Sequence, residues 1–273
     1  MKNKINRISN KEVNRIDTDT YFWTFVNPNP SRYVNKMASN SRKTGVLAVV
    51  TAGVMILATY MIFFYLPPIK DEAGEVLSGS FRIFFFHMPI AIISYLAFAV
   101  VFAASILYLR DKALKWDIYA RSAAEVGTLF SFLVLITGSI WAKDAWGWYW
   151  IWDIRLTTSL VLFLVYLAYM MLRKALEEPE KRARLSAVFG ILGFISVPLS
   201  FFSIRLWRSA HPLMFGGNTG GSGGGLEGTT LQLTLLVNFI AYFLLFLTLF
   251  SIKVQNEKME EELDDSRSAG LEA

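Results

Sequence analysis

The chain has 273 residues, of which 54% are hydrophobic and 18% charged, and it carries a net charge of +5 and no cysteine. That apolar share exceeds the roughly 45–50% usual in soluble domains, and the charges fall in blocks between long apolar runs, so the composition points to an integral membrane protein. Without cysteine the chain holds no disulfide, no thiolate metal site and no thioether-linked cofactor.

In chain order, residues 1–44 are mixed polar and charged with no apolar core near the start, which predicts a cytoplasmic extension and not a cleavable signal peptide. Six apolar runs follow, at about 45–66, 84–109, 122–141, 156–172, 185–204 and 230–252. Each approaches the ~20 residues with which a helix crosses a bilayer. The expected fold is an all-α polytopic membrane protein of six transmembrane helices. Its membrane domain covers 45–252, with a tryptophan-rich loop at 141–155 and a glycine-rich loop at 205–229. The stretch 253–273 is acidic and polar, and is expected to extend the last helix into a fraying cytoplasmic tail.

Lysine and arginine bias sets the orientation of such a chain. Segment 1–44 carries nine, the 110–121 loop four, the 173–184 loop five and the tail three. The opposite face holds six: Lys70, Arg82, Lys143, Arg155, Arg205 and Arg208. Both termini are therefore predicted to be cytoplasmic, and the tryptophan-rich and glycine-rich loops to lie outside. Topology accounts for the positive charge, so no nucleic-acid partner is inferred. Membrane lipid is the expected surrounding.

Five of the eight tryptophans fall between Trp141 and Trp152. Interfacial belts account for one or two aromatics per helix end, whereas a run this dense makes a broad apolar surface suited to a flat ligand with a polar rim. Trp146, Trp148, Trp150 and Trp152 would share one side of an extended segment, or form two stripes on a helix. Asp153, directly after the run, reads as the N-cap of the fourth helix, and alternatively as a group that fixes an indole or positions Arg155.

The chain has only two histidines, His87 and His211, and both are placed on the face that carries the tryptophans. A histidine near a helix end commonly serves only as an interfacial hydrogen bonder. Two neutral imidazoles from separate elements can also clamp a haem iron from opposite faces of the ring. Haem propionates would then require cations, and Arg82 and Arg155 are the nearest candidates, with headgroup anchoring as the ordinary alternative. The glycine-rich stretch lacks a Gly-Lys-Ser/Thr ending, so it is no phosphate loop. It reads either as a flap over the outer site or as a passive linker. Glu125, Thr128, Thr137 and Asn238 fall near or within spans, where polar groups are costly. Threonine can bond back to its own helix, which leaves Glu125 and Asn238 as the ones that raise a functional question.

The run from Trp146 to Asp153, continuing Ile-Arg-Leu-Thr-Thr-Ser, resembles the tryptophan-rich "WWD" signature of haem-handling proteins of cytochrome c maturation. Arg82-Ile-Phe-Phe-Phe-His87-Met-Pro resembles the first histidine motif of the CcmC family, and Ser203-Ile-Arg-Leu-Trp-Arg-Ser-Ala-His211-Pro its second. The order, the spacing and the six-helix layout fit over 45–252. The two histidine motifs and the modest length select CcmC over the longer CcmF and CcsA relatives. This resemblance implies a haem chaperone of a bacterial or archaeal cytoplasmic (inner) membrane. It would hold haem b non-covalently as transient cargo, with His87 and His211 as axial ligands and the tryptophans as a cradle. Its implied partners are a CcmE-like haem chaperone, the CcmAB transporter and a CcmD-like small subunit. With no nucleophile, paired carboxylate or hydride cofactor site apparent on the outer face, the chain is read as a binding and delivery protein and not as an enzyme. The competing readings are a membrane haem oxidoreductase or synthetase of the CcsA type and a transporter of another amphipathic solute. The first usually needs a second haem near the cytoplasmic side, and the second predicts broken helices with polar groups at mid-membrane.

Overall fold

The computed structural model describes residues 30–69, 76, 78–211 and 228–271. The extension up to residue 29 and the glycine-rich stretch 212–227 lie outside the described residues. The chain divides into two units, Met1–Leu47 and Ala48–Ala273, and the contacts below belong to the second.

Helix α1 (Pro30–Tyr60) ends in a π-helical turn, Met61–Tyr65. A 3-10 turn, Gly79–Ile83, leads into α2 (Phe84–Asp111), and α3 (Leu114–Trp146), α4 (Ile154–Ala175), α5 (Pro179–Gly193), α6 (Ser196–Leu206) and α7 (Thr229–Leu271) follow. Among the described residues six stretches are long and apolar enough to cross a membrane, α5 and α6 together making the fifth. The expected six-span all-α architecture is therefore what the chain folds into.

Two differences from the sequence expectation bear on the site. The third span runs to Trp146 and not 141, because Gly147 supplies the left-handed stop at φ 78 and its N–H closes on the Lys143 carbonyl at 3.0 Å. The first part of the tryptophan run is thus helical. The fifth span is broken at Phe194–Ile195. Pro198 has no N–H to offer the Phe194 carbonyl, which accepts instead from Val197 at 3.0 Å, so the helix tightens and restarts.

Small residues let the helices approach closely where lipid offers no hydrophobic drive between them. Gly127 of α3 rests on Phe98 and Ala97 of α2, and a Cβ there would lie 2.8 Å from Phe98 Cε1. Gly190 of α5 meets Ser105 and Val101 of α2 in the same way, at 2.8 and 3.2 Å. Phe98 then stacks on Tyr166 of α4 with ring centroids 3.6 Å apart, which places α2 at the centre of the main core cluster.

The far end of the bundle is tied by charge. Asp117 of α3 and Arg173 of α4 form a buried two-bond pair at 2.6 and 2.7 Å. Glu125 is paired with Arg121 and with Lys253 of α7, and Arg121 also binds Glu257. Glu125 is thus a helix-to-helix tie. Asn238 is buried and donates to the Thr234 carbonyl at 2.8 Å within its own helix.

Candidate functional site

The proline pair Pro67–Pro68 ends the first span, and it determines what Arg82 does. In the π-helical turn the Leu66 N–H reaches back to the Met61 carbonyl at 2.9 Å. The next carbonyl, Ile62, would need an N–H from Pro67, which has none. Arg82 fills the gap: its guanidinium donates to the Ile62 carbonyl and, at 3.1 Å, to that of Leu66. A cation at a helix C-terminus is also favoured by the macrodipole. Arg82 thereby ties the end of the first span to the entry of α2.

One turn later, on the first turn of α2, stands His87. It is partly buried, and its Nδ1 lies 2.8 Å from Thr137 Oγ1 of α3. Its Cε1 edge faces Gly138, where a Cβ would stand 3.1 Å away. Thr137 bonds back to Leu133 at 2.7 Å, as its residue type predicts, but the same oxygen meets His87.

One turn further along α3, Trp141 gathers the rest of the site. Its ring lies 6.4 Å from that of His211, 5.8 Å from Phe81 and 5.1 Å from Trp146, centroid to centroid. The two histidines, remote in sequence, therefore meet neighbouring turns of one helix.

His211 is held by a relay from the tryptophan run. Asp153 is the N-cap of α4, as expected, accepting from the Arg155 backbone N–H at 2.8 Å. It also accepts from Ser209 Oγ at 2.7 Å and from the Ala210 N–H at 2.8 Å. Ser209 Oγ in turn accepts from the His211 N–H at 3.1 Å. Burial opposes the charge on Asp153, but the Ser209, Ala210 and Arg155 donors and nearby His211 outweigh it and hold the carboxyl below its usual range. Asp153 meets Arg155 through that residue's backbone N–H.

The Arg155 guanidinium reaches α6, donating to the Ser200 carbonyl and, at 3.3 Å, to that of Phe201. It lies 5.9 Å from the Tyr95 ring centre. Tyr95 Oη is itself 3.0 Å from Ser200 Oγ. Both candidate arginines are thus anchored through backbone carbonyls. A guanidinium has five N–H donors, so each retains donors beyond those contacts.

The indoles follow neither simple pattern. Trp146 belongs to α3 and packs edge-on to Trp141, while Trp150 and Trp152 form a second edge-on pair at 5.8 Å beyond the helix. Trp148 and Trp152 are 70% and 78% exposed, whereas Trp150 is partly buried and its Nε1 has no hydrogen-bond partner. The run therefore presents an open aromatic edge beside a packed one. Thr137, Gly138 and Ser209 carry no site signal in the sequence: a threonine in a span can bond back to its own helix, and only the folded arrangement brings Gly138 and Ser209 to the histidines.

A family model described as "Heme exporter protein C" matches residues 23–269. The chain is 37% identical over 183 residues to the heme exporter protein C of Bradyrhizobium diazoefficiens, covering 67% of this chain and 66% of that one. It is 31% identical to the Paracoccus denitrificans protein of that name over 64% of this chain and 72% of the relative. The Escherichia coli K12 counterpart is 30% identical over 59% and 64%.

Proposed function

This chain belongs to the heme exporter protein C family, and from that membership and the meeting of its two histidines we propose that it is a haem-handling protein of cytochrome c maturation. In this reading haem b is cargo, bound non-covalently at the outer face of a bacterial or archaeal inner membrane. It is then passed to a CcmE-like chaperone, beside the CcmAB transporter and a CcmD-like subunit. The chain binds and delivers, and performs no chemistry of its own on the ring.

The observation that carries the proposal is the convergence of His87 and His211 on Thr137, Gly138 and Trp141 of α3. The donor set fits the group. Two imidazoles fall short of the four protein ligands of a closed zinc site, and they suffice for an iron whose equatorial positions a porphyrin already fills. Among the described residues no cluster of three or more histidine, cysteine or acidic side chains accompanies them. His87 and His211 would ligate, the indoles from Trp146 to Trp152 would support the ring, and Asp153 would hold the His211 segment in place. Arg82 and Arg155 carry the donors for the propionates. The bound haem supplies the vinyl edge that a partner would take up, and the exposed Trp148 and Trp152 suit the docking of that partner.

The break in the fifth span favours the solute-transporter reading more than the apolar runs suggested, since Ser196, Ser200 and Ser203 are buried just after it. Visible absorption separates the two. The purified chain, supplied with haem, should show a Soret band that the His87→Ala, His211→Ala double variant loses. A preparation that stays colourless after haem addition overturns the haem reading.

A further inference from the structure

We infer that Thr137 and Gly138 are positioning residues for His87, setting its tautomer and ring plane so that Nε2 is the nitrogen offered to the iron. The inference rests on the haem reading above and extends it to α3, which contributes no ligand.

The tautomer follows from counting protons. Thr137 Oγ1 and the Leu133 carbonyl oxygen are 2.7 Å apart. Two oxygens at that distance need a hydrogen between them, and only the threonine hydroxyl can supply it. The hydroxyl has one proton, so toward His87 Nδ1, 2.8 Å away, Thr137 can only accept. The Nδ1 atom must then carry the hydrogen, and Nε2 keeps its lone pair. A ligating histidine with its other N–H donated to a fixed acceptor is the usual arrangement around metals, and the acceptor raises ligand basicity.

Gly138 determines the plane. A Cβ there would stand 3.1 Å from His87 Cε1 and 3.9 and 4.0 Å from Nδ1 and Nε2. The ring therefore meets Gly138 through Cε1, with Nδ1 on Thr137 and Nε2 on the other side of Cε1. A methyl group at this position would push the ring off the helix and lengthen the Thr137 bond.

The test uses the full-length chain in detergent, titrated with haem and followed by Soret absorbance and by the reduction midpoint of the bound haem. Thr137→Val keeps the shape and removes the acceptor. It should weaken haem binding by about tenfold or more and raise the midpoint, because a less basic imidazole stabilises ferric iron less. Thr137→Ser should stay close to the parent in both, and Gly138→Ala should weaken binding.

A complementation experiment reads the same bond if Thr137→Val does not fold. In His87→Gly, added imidazole should restore the haem band better than 1-methylimidazole, which has no N–H for Thr137. Equal restoration by the two, or an unchanged affinity and midpoint in Thr137→Val, overturns the positioning role and leaves haem binding standing. Failure of the parent chain to take up haem overturns both.

Discussion

Asp153 accepts three hydrogen bonds, one from the first turn of its own helix and two from the segment that ends in His211. A carboxyl whose folded pKa is lowered adds stability above its ordinary value of about 3.9. That contribution is lost as pH falls through the lowered folded value. The Asp153 latch should therefore persist at pH 5 and open only below the ordinary carboxylate range, which amide hydrogen exchange at Ala210 and His211 against pH would follow. Ser209→Ala breaks the relay between Asp153 and the His211 N–H. It should speed exchange at His211 and weaken haem retention by about fivefold, equivalent to about 1 kcal/mol for one hydrogen bond. Unchanged exchange in that variant would return Asp153 to a simple N-cap. Among these residues the sequence disclosed the cap, because a carboxylate before a helical run is a local signal. The latch was not legible, since Ser209 reaches Asp153 only through the fold.

The π-helical end of the first span and the kink in the fifth are both made by prolines that withhold an N–H, and an arginine answers one of them. Arg82 satisfies the carbonyl that Pro67 cannot. Arg82→Ala should free the end of the first span and lower stability by about 1–3 kcal/mol, the cost of leaving partly buried carbonyls without a charged donor. Thermal melting in detergent and the haem titration report the two consequences separately. A loss of haem affinity with unchanged melting would assign Arg82 mainly to the propionates. Melting that falls with affinity preserved would make it a helix tie. The apolar runs made each span legible, since twenty apolar residues have few other solutions. The break at Phe194–Ile195 depended on Pro198, whose effect on a helix varies with the packing around it.

Among the described residues the histidine end is built from aromatic rings, anchored arginines and the hydrogen-bonded carboxylates of Asp144 and Asp153, and the opposite end from ion pairs. Asp117 and Arg173 are buried together, so removing either alone should destabilise by about 3–5 kcal/mol. Replacing both by apolar residues of similar volume should cost much less, because no uncompensated charge then remains. Denaturant melts of the two single variants and the double variant give the comparison. The orientation inferred from the lysine and arginine count is open to direct labelling, since the chain has no cysteine of its own. A cysteine placed by Trp148→Cys should react with an impermeant reagent applied from outside, and one placed by Glu178→Cys only after permeabilisation. The reverse pattern would invert the assigned topology.

The sequence by itself determined the fold class, the number of spans, the capping of the fourth helix and the identity of the two histidines. These depend on local composition, on spacing along the chain and on the rarity of the residue type. Tertiary structure alone decided that His87 and His211 meet neighbouring turns of α3, that Thr137 Oγ1 meets His87 Nδ1, that Gly138 leaves room for the ring, and that Asp153 holds the His211 segment. Each of these is a contact between residues remote in sequence. Hydrogen-bond direction and ring clearance are set at the scale of a few tenths of an ångström, and no periodicity or motif carries that distance.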